Sequence, residues 1–288
     1  MKLLVIGGDG MAGHVIKDYF LQETDNEVFW TTRRKRTDNR HCLYLDVRDD
    51  ERLKEVLDTV QPDVVINAVG LLNDHASERI QDAILVNSIL PHRLSAYAKT
   101  YQFYFIHIST DCVFSGKKGD YAETDEKDGE TIYAKTKSLG EVTGDGVLTI
   151  RTSIVGPELK KNGIGLFHWF MNQKGEIQGY QNVFWNGVTT LELAKAIHRL
   201  IPFRLDGLIH VTGNRKISKY ELLTLFQTIF NKKDVTIVPT AHIKSDKSLK
   251  ITRIDVPYEP KDYTVMLTEL KRWMEARRQI YADYLDRK

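Results

Sequence analysis

The sequence predicts an α/β protein built on a doubly wound parallel sheet. Short apolar, β-rich runs alternate with helical patterns through the first half of the chain, which is the order of elements in such folds. The runs are apolar without interruption, as in strands that are buried on both faces. Strands are predicted at residues 2–6, 27–31, 64–67, 103–108 and 147–151, with a further short strand just before Leu45.

Helices are predicted between these strands, at residues 11–21, 51–59, 78–100 and 133–142. The helix over 78–100 is long enough to cross the whole sheet. A helix at 189–201 and a strand at 207–211 follow later in the chain. The segment 263–285 contains neither glycine nor proline, and it predicts one uninterrupted, highly charged helix.

A change of pattern after residue 151 predicts a second, smaller domain. The pairs Gly156-Pro157 and Asn162-Gly163 interrupt a stretch that lacks clear alternation. We expect a larger sheet domain at residues 1–155, to which residues 186–215 return, and a smaller C-terminal domain made of 156–185 and 216–288.

Composition excludes several classes of protein. The 41 Lys and Arg residues nearly balance the 39 Asp and Glu residues, so no global field favours nucleic acid as a partner. The apolar run at 64–72 is far shorter than the roughly 20 residues of a membrane span. Two cysteines and no signal-peptide pattern predict a cytoplasmic protein. The nine histidines show no clustered ligand spacing, so we expect no metal site.

A glycine-rich turn follows the first predicted strand. Gly7, Gly10 and Gly13 are three residues apart, and Gly8 completes a G-x-G-x-x-G pattern with the last two. Such a turn lets the backbone approach a pyrophosphate, which the first helical N–H groups, here at Met11 and Ala12, then face. The context of strand, turn and helix favours a Rossmann-type dinucleotide site over an ordinary glycine loop.

The second predicted strand leads into a basic run that includes Arg33 and Arg34 and continues through residue 36. No acidic residue stands there to bind a ribose 2′-hydroxyl, whereas arginine suits a 2′-phosphate. This favours NADPH as the cofactor, with NADH possible. A solvated charged loop and a small nucleic-acid patch are the alternatives.

Two further strand ends belong to the predicted cofactor site, because ligands of such folds bind at the carboxyl ends of the strands. Asp46 and Val47 follow the third strand and are expected to flank the adenine. Ala68, Val69 and Gly70 follow the fourth strand and are expected to lie beside the nicotinamide ribose.

Tyr133 and Lys137 are four residues apart on a predicted helix and therefore share one face. A neighbouring ammonium favours the ionised form of a phenol, so this pair suits proton transfer. The sequence Ser109-Thr110-Asp111 ends an apolar strand and places hydroxyls and a carboxylate at the ligand edge of the sheet. A surface tyrosine and lysine, and a helix cap at 109–111, are the structural alternatives.

These residues together resemble the extended short-chain dehydrogenase/reductase superfamily. Within it, the chain resembles the dTDP-4-dehydrorhamnose reductase family, also called the sugar nucleotide-binding family. The carriers are Gly7-x-x-Gly10-x-x-Gly13, Ile108-Ser109-Thr110-Asp111-x-Val113-Phe114, Tyr133-x-x-x-Lys137, Arg151-Thr152-Ser153, Asn186-Gly187-Val188-Thr189-Thr190 and Gly207-Leu208-Ile209-His210.

The resemblance implies an NAD(P)H-dependent reductase of a nucleotide-linked 4-keto-6-deoxy sugar, in the synthesis of deoxysugars and cell-surface polysaccharides. It implies that Tyr133 donates a proton, that Lys137 lowers the tyrosine pKa and holds the nicotinamide ribose, and that Thr110 hydrogen-bonds the substrate carbonyl. Asp111 then faces the sugar, and Ile154 and Trp185 belong to the substrate site. We expect a monomer or a homodimer, and the charge balance and short apolar runs predict no nucleic acid and no membrane as partner.

Two positions depart from the family pattern. Cys112 stands where tyrosine is usual, and Ile154 stands where an aromatic residue is common. Related dehydratases carry an acidic pair after the threonine, so Cys112 argues against dehydration. A non-catalytic regulatory subunit and a sugar-nucleotide epimerase are the alternative functions. The aromatic segment at 167–170 and 180–185 suits either stacking on a nucleotide or packing in the core.

Overall fold

The computed structural model describes residues 1–34 and 39–286. In chain order the strands are β1 (Lys2–Ile6), β2 (Glu27–Thr32), β3 (Cys42–Tyr44), β4 (Val64–Asn67), β5 (Tyr104–Thr110), β6 (Val147–Thr152), β7 (Ile154–Val155), β8 (Gly175–Tyr180), β9 (Val183–Trp185), β10 (Val188–Thr189), β11 (Gly207–His210), β12 (Ile217–Ser218), β13 (Val235–Thr240) and β14 (Ser245–Asp246).

The α-helices are α1 (Met11–Glu23), α2 (Asp50–Val60), α3 (Asn73–Glu78), α4 (Ile80–Ala83), α5 (Leu90–Tyr101), α6 (Ile132–Leu139), α7 (Leu166–Met171), α8 (Thr190–Leu200), α9 (Lys219–Ile229), α10 (Tyr263–Glu275) and α11 (Arg278–Leu285). A π-helical turn at Ile84–Ile89 joins α4 to α5, and 3₁₀ turns lie at Asp111–Val113 and Ile201–Phe203.

Within the described residues, seven parallel strands form the central sheet, in the order β11-β6-β5-β4-β1-β2-β3. This confirms the predicted fold class. The order reverses between β1 and β4, so the loops that follow these two strands diverge and leave a crevice at the carboxyl edge. The remaining strands form three small sheets, which pair β10 with β7, β13 with β8, and β9 with both β12 and β14.

Alternate residues of β1 enter two hydrophobic cores, one on each face of the sheet. Leu3 and Val5 pack with residues of α1, α8 and α10, whereas Leu4 and Ile6 pack with residues of α2 and α5. Successive side chains of a strand point to opposite faces, so burial on both faces explains the uninterrupted apolar sequence. The division into two domains stays a prediction. One part of it concerns residues 186–215, within which β11 is a strand of the central sheet.

The helix predicted over 78–100 begins at Ile80 and continues without a break to Tyr101, with a π-helical turn at Ile84–Ile89. Arg79 leaves the helical conformation, with φ of −131° and ψ of 59°, and separates α3 from α4. The π-helical turn then gives Asn87 three side-chain contacts outside its own helix: Oδ1 accepts from Leu71 N at 2.8 Å, and Nδ2 donates to Leu71 O at 2.9 Å and to Thr136 Oγ1 at 3.1 Å. Such π turns often occur at functional sites.

Helix α6 is shorter than the predicted 133–142. Thr131 caps the first turn of the helix by accepting from Ala134 N at 3.0 Å. The helix ends at Leu139, and Gly140 is its C-cap. A Cβ at Gly140 would lie 1.8 Å from the carbonyl oxygen of Asn87. Only glycine allows this approach, which seats α6 on the π-helical turn.

The predicted single helix over 263–285 is also wrong, since α10 and α11 are separate. The break occurs at Arg277, whose φ of −123° and ψ of 40° are not helical and whose guanidinium stacks on the ring of Trp273. The break directs Tyr281 towards α1, where its hydroxyl lies 3.1 Å from Nε2 of the buried His14. Tertiary packing therefore overrides a sequence that could continue the helix. In the part of the chain that the structure describes, no helix combines the length and apolarity that a bilayer crossing requires.

Candidate functional site

Two joined cavities open at the carboxyl edge of the sheet. The first cavity is about 570 Å³ and lies over the ends of β1, β2 and β3. The second cavity is about 480 Å³ and lies over the ends of β5 and β6. Both are lined by Gly10, Ala68, Val69 and Gly70, so they form one cleft at the point where the strand order reverses.

The glycine turn closes tightly against its neighbours. Gly7 has a φ of +91°, and a Cβ there would lie 2.6 Å from Cγ2 of Val69. A Cβ at Gly13 would lie 2.1 Å from the carbonyl oxygen of Gly7. Gly13 does not line the cleft. It lets α1 pack directly on the turn, which is the role of the third glycine in the dinucleotide motif.

The first turn of α1 faces the cleft without a side-chain cap. Gly10 occupies the N-cap position and makes no side-chain hydrogen bond. Met11 and Ala12 follow and line the second cavity. The backbone N–H groups at this positive end of the helix dipole are suited to bind a phosphate.

Basic side chains surround the first cavity. Arg33 and Arg34 are exposed and line it, as the sequence predicts, while residues 35 and 36 of the basic run lie outside the described residues. Arg48, Arg79 and Lys160 also line this cavity. These three were not predicted from the sequence, because they come from three separate segments.

The carboxylate of Asp46 is bound by Arg48, whose Nε donates to Oδ1 at 2.9 Å and whose Nη1 also reaches Asp82 at 2.9 Å. The hydrogen bonds from Arg48 lower the pKa of Asp46. Asp46 and Val47 line the first cavity, as predicted. The side chain of Asp46 is nevertheless committed to an ion pair, so its backbone is what remains for a ligand.

Asp9 is a cleft residue that was not predicted from the sequence. It lies inside the glycine turn, lines both cavities and accepts a hydrogen bond from Thr32 Oγ1 at 2.6 Å. Thr32 is the last residue of β2. The end of β2 carries no acidic residue of its own, but the glycine turn places Asp9 there, in the cavity that Arg33 and Arg34 also line.

The second cavity brings together the predicted catalytic residues Thr110, Tyr133 and Lys137. Thr110 ends β5, which extends two residues beyond the predicted end, and its Oγ1 donates to Asp111 Oδ1 at 3.2 Å. The same hydroxyl accepts from Cys112 N at 3.1 Å, and it acts on the phenol of Tyr133 by lowering the pKa of that group. A strand end and the following helix therefore converge on one point.

The pKa of Tyr133 is raised in this structure. Burial of the phenol is the main cause, the thiol of Cys112 adds to it, and the hydrogen bond with Thr110 opposes it. Burial likewise raises the pKa of Cys112 to about 11. The expected lowering of the tyrosine pKa by Lys137 is not present here, because desolvation dominates.

Lys137 is anchored to β5. Its Nζ donates to the carbonyl oxygen of Ile108 at 2.8 Å and lies 3.3 Å from Nε2 of His107. His107 is fully buried, and its Nδ1 lies 3.2 Å from Nδ2 of Asn67. Burial lowers the pKa of Lys137 to about 8. Helical spacing predicted Lys137, whereas no sequence pattern pointed to the two buried residues behind it.

Ser109 does not join the site through its hydroxyl, contrary to the expectation for the 109–111 segment. Its Oγ donates to Glu141 Oε1 at 2.7 Å, and Glu141 also binds the fully buried Arg151 at 2.7 Å. The ion pair between Glu141 and Arg151 is structural, because each side chain neutralises a partner that has no access to water.

The predicted substrate residues Asp111, Ile154 and Trp185 also line the second cavity. Asp111 is buried, and this burial raises its pKa, while the charges of Lys247 and Lys219 oppose the rise. Trp185 donates from Nε1 to Ser153 Oγ at 2.9 Å. Lys219 faces the same cavity from the start of α9, and it was not predicted from the sequence.

In the aromatic segment at 167–170 and 180–185, some side chains pack in the core and others line the cavity. Phe167 and Phe170 are fully buried in the core, so packing explains them. Trp169 is 38% exposed and lines the second cavity together with Trp185. Among residues 1–34 and 39–286 no group of three or more His, Cys, Asp or Glu side chains has a metal-binding arrangement, and the absence of a metal site stays a prediction.

Comparison with known proteins identifies the family. The model of the RmlD substrate binding domain matches residues 1–284. The chain belongs to this family. The RmlD match extends from the glycine turn to α11, so it includes both cavities of the cleft.

Relatives of this RmlD family member differ in their described roles. The chain is 28% identical over 230 residues, 77% of each chain, to the spore coat polysaccharide biosynthesis protein SpsK of Bacillus subtilis (strain 168). It is 22% identical over 273 residues to the methionine adenosyltransferase 2 subunit beta of Xenopus tropicalis, covering 90% of this chain and 79% of that one.

A solved dTDP-4-dehydrorhamnose reductase from Bacillus anthracis str. Ames, in complex with NADP, superimposes with a TM-score of 0.79 at 18% identity. The superposition covers 94% of this chain and 99% of the other. These findings confirm the predicted resemblance to the extended short-chain dehydrogenase/reductase superfamily and its dTDP-4-dehydrorhamnose reductases. They also confirm the Rossmann-like fold that the RmlD family shares with them.

Proposed function

We propose that this protein is an NADPH-dependent reductase of a nucleotide-linked 4-keto-6-deoxy sugar. One observation carries the proposal: Thr110, Tyr133 and Lys137 line a cavity that is continuous with the cavity at the glycine turn. A hydroxyl, a phenol and an amine thus meet where a dinucleotide bound along the turn would end.

The described residues fit a dinucleotide. The uncapped N–H groups at Met11 and Ala12 suit a pyrophosphate. Arg33 and Arg34 suit a 2′-phosphate and therefore favour NADPH over NADH. A Cβ at Gly70 would meet only Asn87 Oδ1, at 3.7 Å, so the backbone there borders open space beside the predicted ribose site. When bound, the nicotinamide supplies the hydride that the carbonyl carbon receives.

The residues of the chain supply the proton and the orientation. Thr110 and Tyr133 line the same cavity, and in this proposal both contact the carbonyl oxygen of a substrate placed between them. As this oxygen gains negative charge, Tyr133 donates its proton to it, and the product is a hydroxyl group. Below its pKa of about 8, Lys137 is an ammonium group, which favours the phenolate that remains and can hold the nicotinamide ribose.

The substrate class rests on family membership and on the acidic and aromatic walls of the second cavity. Asp111 can accept hydrogen bonds from sugar hydroxyls, and Trp185 and Trp169 offer ring faces to a sugar or a base. The relative SpsK is described as a polysaccharide biosynthesis protein, which favours the same setting here. We place the protein in the cytoplasm on its low cysteine content, as a monomer or a homodimer.

The test is to mix the protein with NADPH and a panel of nucleotide-linked 4-keto-6-deoxy sugars and to follow the loss of absorbance at the NADPH band. Oxidation with at least one sugar is expected. The absence of oxidation with every member, with the protein folded and NADPH bound, contradicts the proposal.

The methionine adenosyltransferase 2 subunit beta relatives favour a second function, that of a regulatory subunit. A regulatory subunit would bind NADPH and a partner enzyme without turnover. Mixing the protein with a methionine adenosyltransferase catalytic subunit and measuring complex formation separates the two functions. A complex without sugar reduction would favour the regulatory role.

A further inference from the structure

Lys219 is a cation of the second cavity to which the proposed reaction assigns no function. The side chain is half-buried, lines the cavity, and comes from the first turn of α9. Register explains its position: Ile217 pairs with Trp185 across the small sheet, so the residue after β12 emerges beside that ring. Lys219 Nζ lies 5.2 Å from the centroid of Trp185.

The position of Lys219 is unfavourable for the folded protein alone. A cation in the first turn of a helix opposes the positive end of the helix dipole. Burial lowers the pKa of Lys219 to about 8, and the charge of Asp111 only partly opposes this effect. Among the described residues, no carboxylate forms an ion pair with its Nζ and no acceptor receives a hydrogen bond from it. The ammonium of Lys219 therefore has hydrogen-bond donors available for a ligand in the cavity.

Asp111 offers the complementary group. It is buried, lines the same cavity, and follows Thr110 directly. Its Oδ1 accepts from Thr110 Oγ1 at 3.2 Å, and a carboxylate has further acceptor sites. A neutral hydroxyl placed between the two side chains can accept from Lys219 and donate to Asp111. An anionic group at the same point would be attracted by one side chain and repelled by the other.

We propose that Lys219 is a substrate-binding residue, which together with Asp111 holds the sugar hydroxyl next to the carbonyl that is reduced. This rests on the proposed reductase function, in which Thr110 and Tyr133 hold the carbonyl oxygen. In a 4-keto-6-deoxyhexose the neighbours of the carbonyl carbon bear a hydroxyl at C3 and a methyl group at C5. The 3-hydroxyl is therefore the group that Lys219 recognises.

The experiment compares wild type with Lys219→Met, which keeps the length of the side chain and removes its charge. Lys233→Met is the matched control, because Lys233 is exposed in the same part of the chain and does not line the cavity. The substrates are the nucleotide-linked 4-keto-6-deoxyhexose that wild type reduces fastest in the panel and its 3-deoxy counterpart.

For the hydroxylated substrate, Lys219→Met is expected to lower kcat/KM by tenfold or more, as loss of a hydrogen bond to a charged group does. For the 3-deoxy substrate, the variant and wild type are expected to be equal. The melting temperature and the Kd for NADPH should match wild type, and Lys219→Arg should recover part of the loss. Lys233→Met should behave as wild type.

An equal loss with both substrates, or no loss with either, overturns the proposal for Lys219 while leaving the reductase function intact. If wild type reduces no sugar of the panel, the proposed function fails instead. Titration of dTDP-linked 6-deoxyglucose and its 3-deoxy counterpart into the NADP⁺-loaded proteins then tests the role of Lys219 by binding alone. A 3-hydroxyl that improves the Kd in wild type and not in Lys219→Met supports this role, and any other pattern overturns it.

Discussion

Lys137 Nζ lies 3.3 Å from Nε2 of His107, while Nδ1 of the same ring lies 3.2 Å from the amide nitrogen of Asn67. The Oδ1 atom of Asn67 already accepts from Val69 N, so Nδ1 of His107 accepts from the amide and Nε2 carries the hydrogen. Burial lowers the pKa of His107 well below its usual range, so the ring is neutral. A neutral amine on Lys137 can accept from Nε2 and still donate to Ile108, and this arrangement favours the unprotonated lysine.

This relationship predicts how stability depends on pH. The pKa of Lys137 falls from 10.5 to about 8 on folding. Between these values the unfolded chain binds more protons than the folded protein, so the free energy of unfolding rises with pH through this window. Below pH 8 the full cost of burying the ammonium is present. Lys137→Met removes this cost, by about 3 kcal/mol for such a shift.

Urea denaturation of wild type and Lys137→Met at pH 7 and pH 10 measures the effect. The stability advantage of the variant should be largest at pH 7 and should shrink by pH 10. Lys135→Met is the control, because Lys135 is exposed on the same helix and should give no pH-dependent difference. Parallel pH curves for wild type and Lys137→Met would show that the ammonium is not desolvated.

Tyr133→Phe is expected to lower kcat by about 10²–10⁴-fold, because it removes the proton donor while keeping the ring. Steady-state rates with NADPH and the preferred sugar nucleotide measure the loss, and a fluorescence titration should give an unchanged Kd for NADPH. Tyr180→Phe, on β8 and outside the cleft, should keep full activity. Normal turnover in Tyr133→Phe would exclude the proposed proton transfer.

Arg33 and Arg34 are expected to set the preference for the phosphorylated cofactor. Replacing both by alanine should raise the Kd for NADPH about tenfold or more, since hydrogen bonds to charged groups contribute about 1.5–3 kcal/mol each. The Kd for NADH should change little. Calorimetric titration of both cofactors measures this, with Arg40→Ala as the control. Equal weakening of both cofactors would mean that the arginines contact a part common to the two.

Alanine substitutions at Gly13 and Gly70 are expected to have contrasting effects on stability and on cofactor binding. In Gly13→Ala the new Cβ would meet the backbone of Gly7 at 2.1 Å, whereas in Gly70→Ala it would meet only Asn87 Oδ1 at 3.7 Å. We expect Gly13→Ala to cost about 1–3 kcal/mol of stability as an overpacked site does. Gly70→Ala should keep the wild-type melting temperature and weaken cofactor binding alone. Thermal unfolding and NADPH titration of both variants check this, and equal stability would contradict the close packing of α1.

The sequence predicts the sheet and most of the cleft, because both depend on local patterns. Uninterrupted apolar runs mark strands buried on both faces, and the Tyr133 and Lys137 pair is recognisable from helical spacing alone. Thr110, at the end of β5, and Gly70, in the loop after β4, are predicted as site residues because parallel sheets bind ligands at their carboxyl edge. Each of these signals lies within a few residues of the position it identifies.

The missed features depend on contacts between distant segments. Lys219 reaches the cavity of Asp111 only because β12 pairs with β9. The π-helical turn arises where Asn87 bonds to Leu71 and Thr136, 16 and 49 residues away. The break at Arg277 accompanies packing of α11 against α1, although the sequence there suits a helix. None of these arrangements has a period or a spacing that a single segment could reveal.

The amide of Asn87 binds the loop after β4 on one side and α6 on the other. The loop borders the predicted ribose site, and the helix carries Tyr133 and Lys137. Asn87 therefore couples the wall of the predicted ribose site to the helix that carries the proposed proton donor, so a shift of one wall strains the hydrogen bonds to the other.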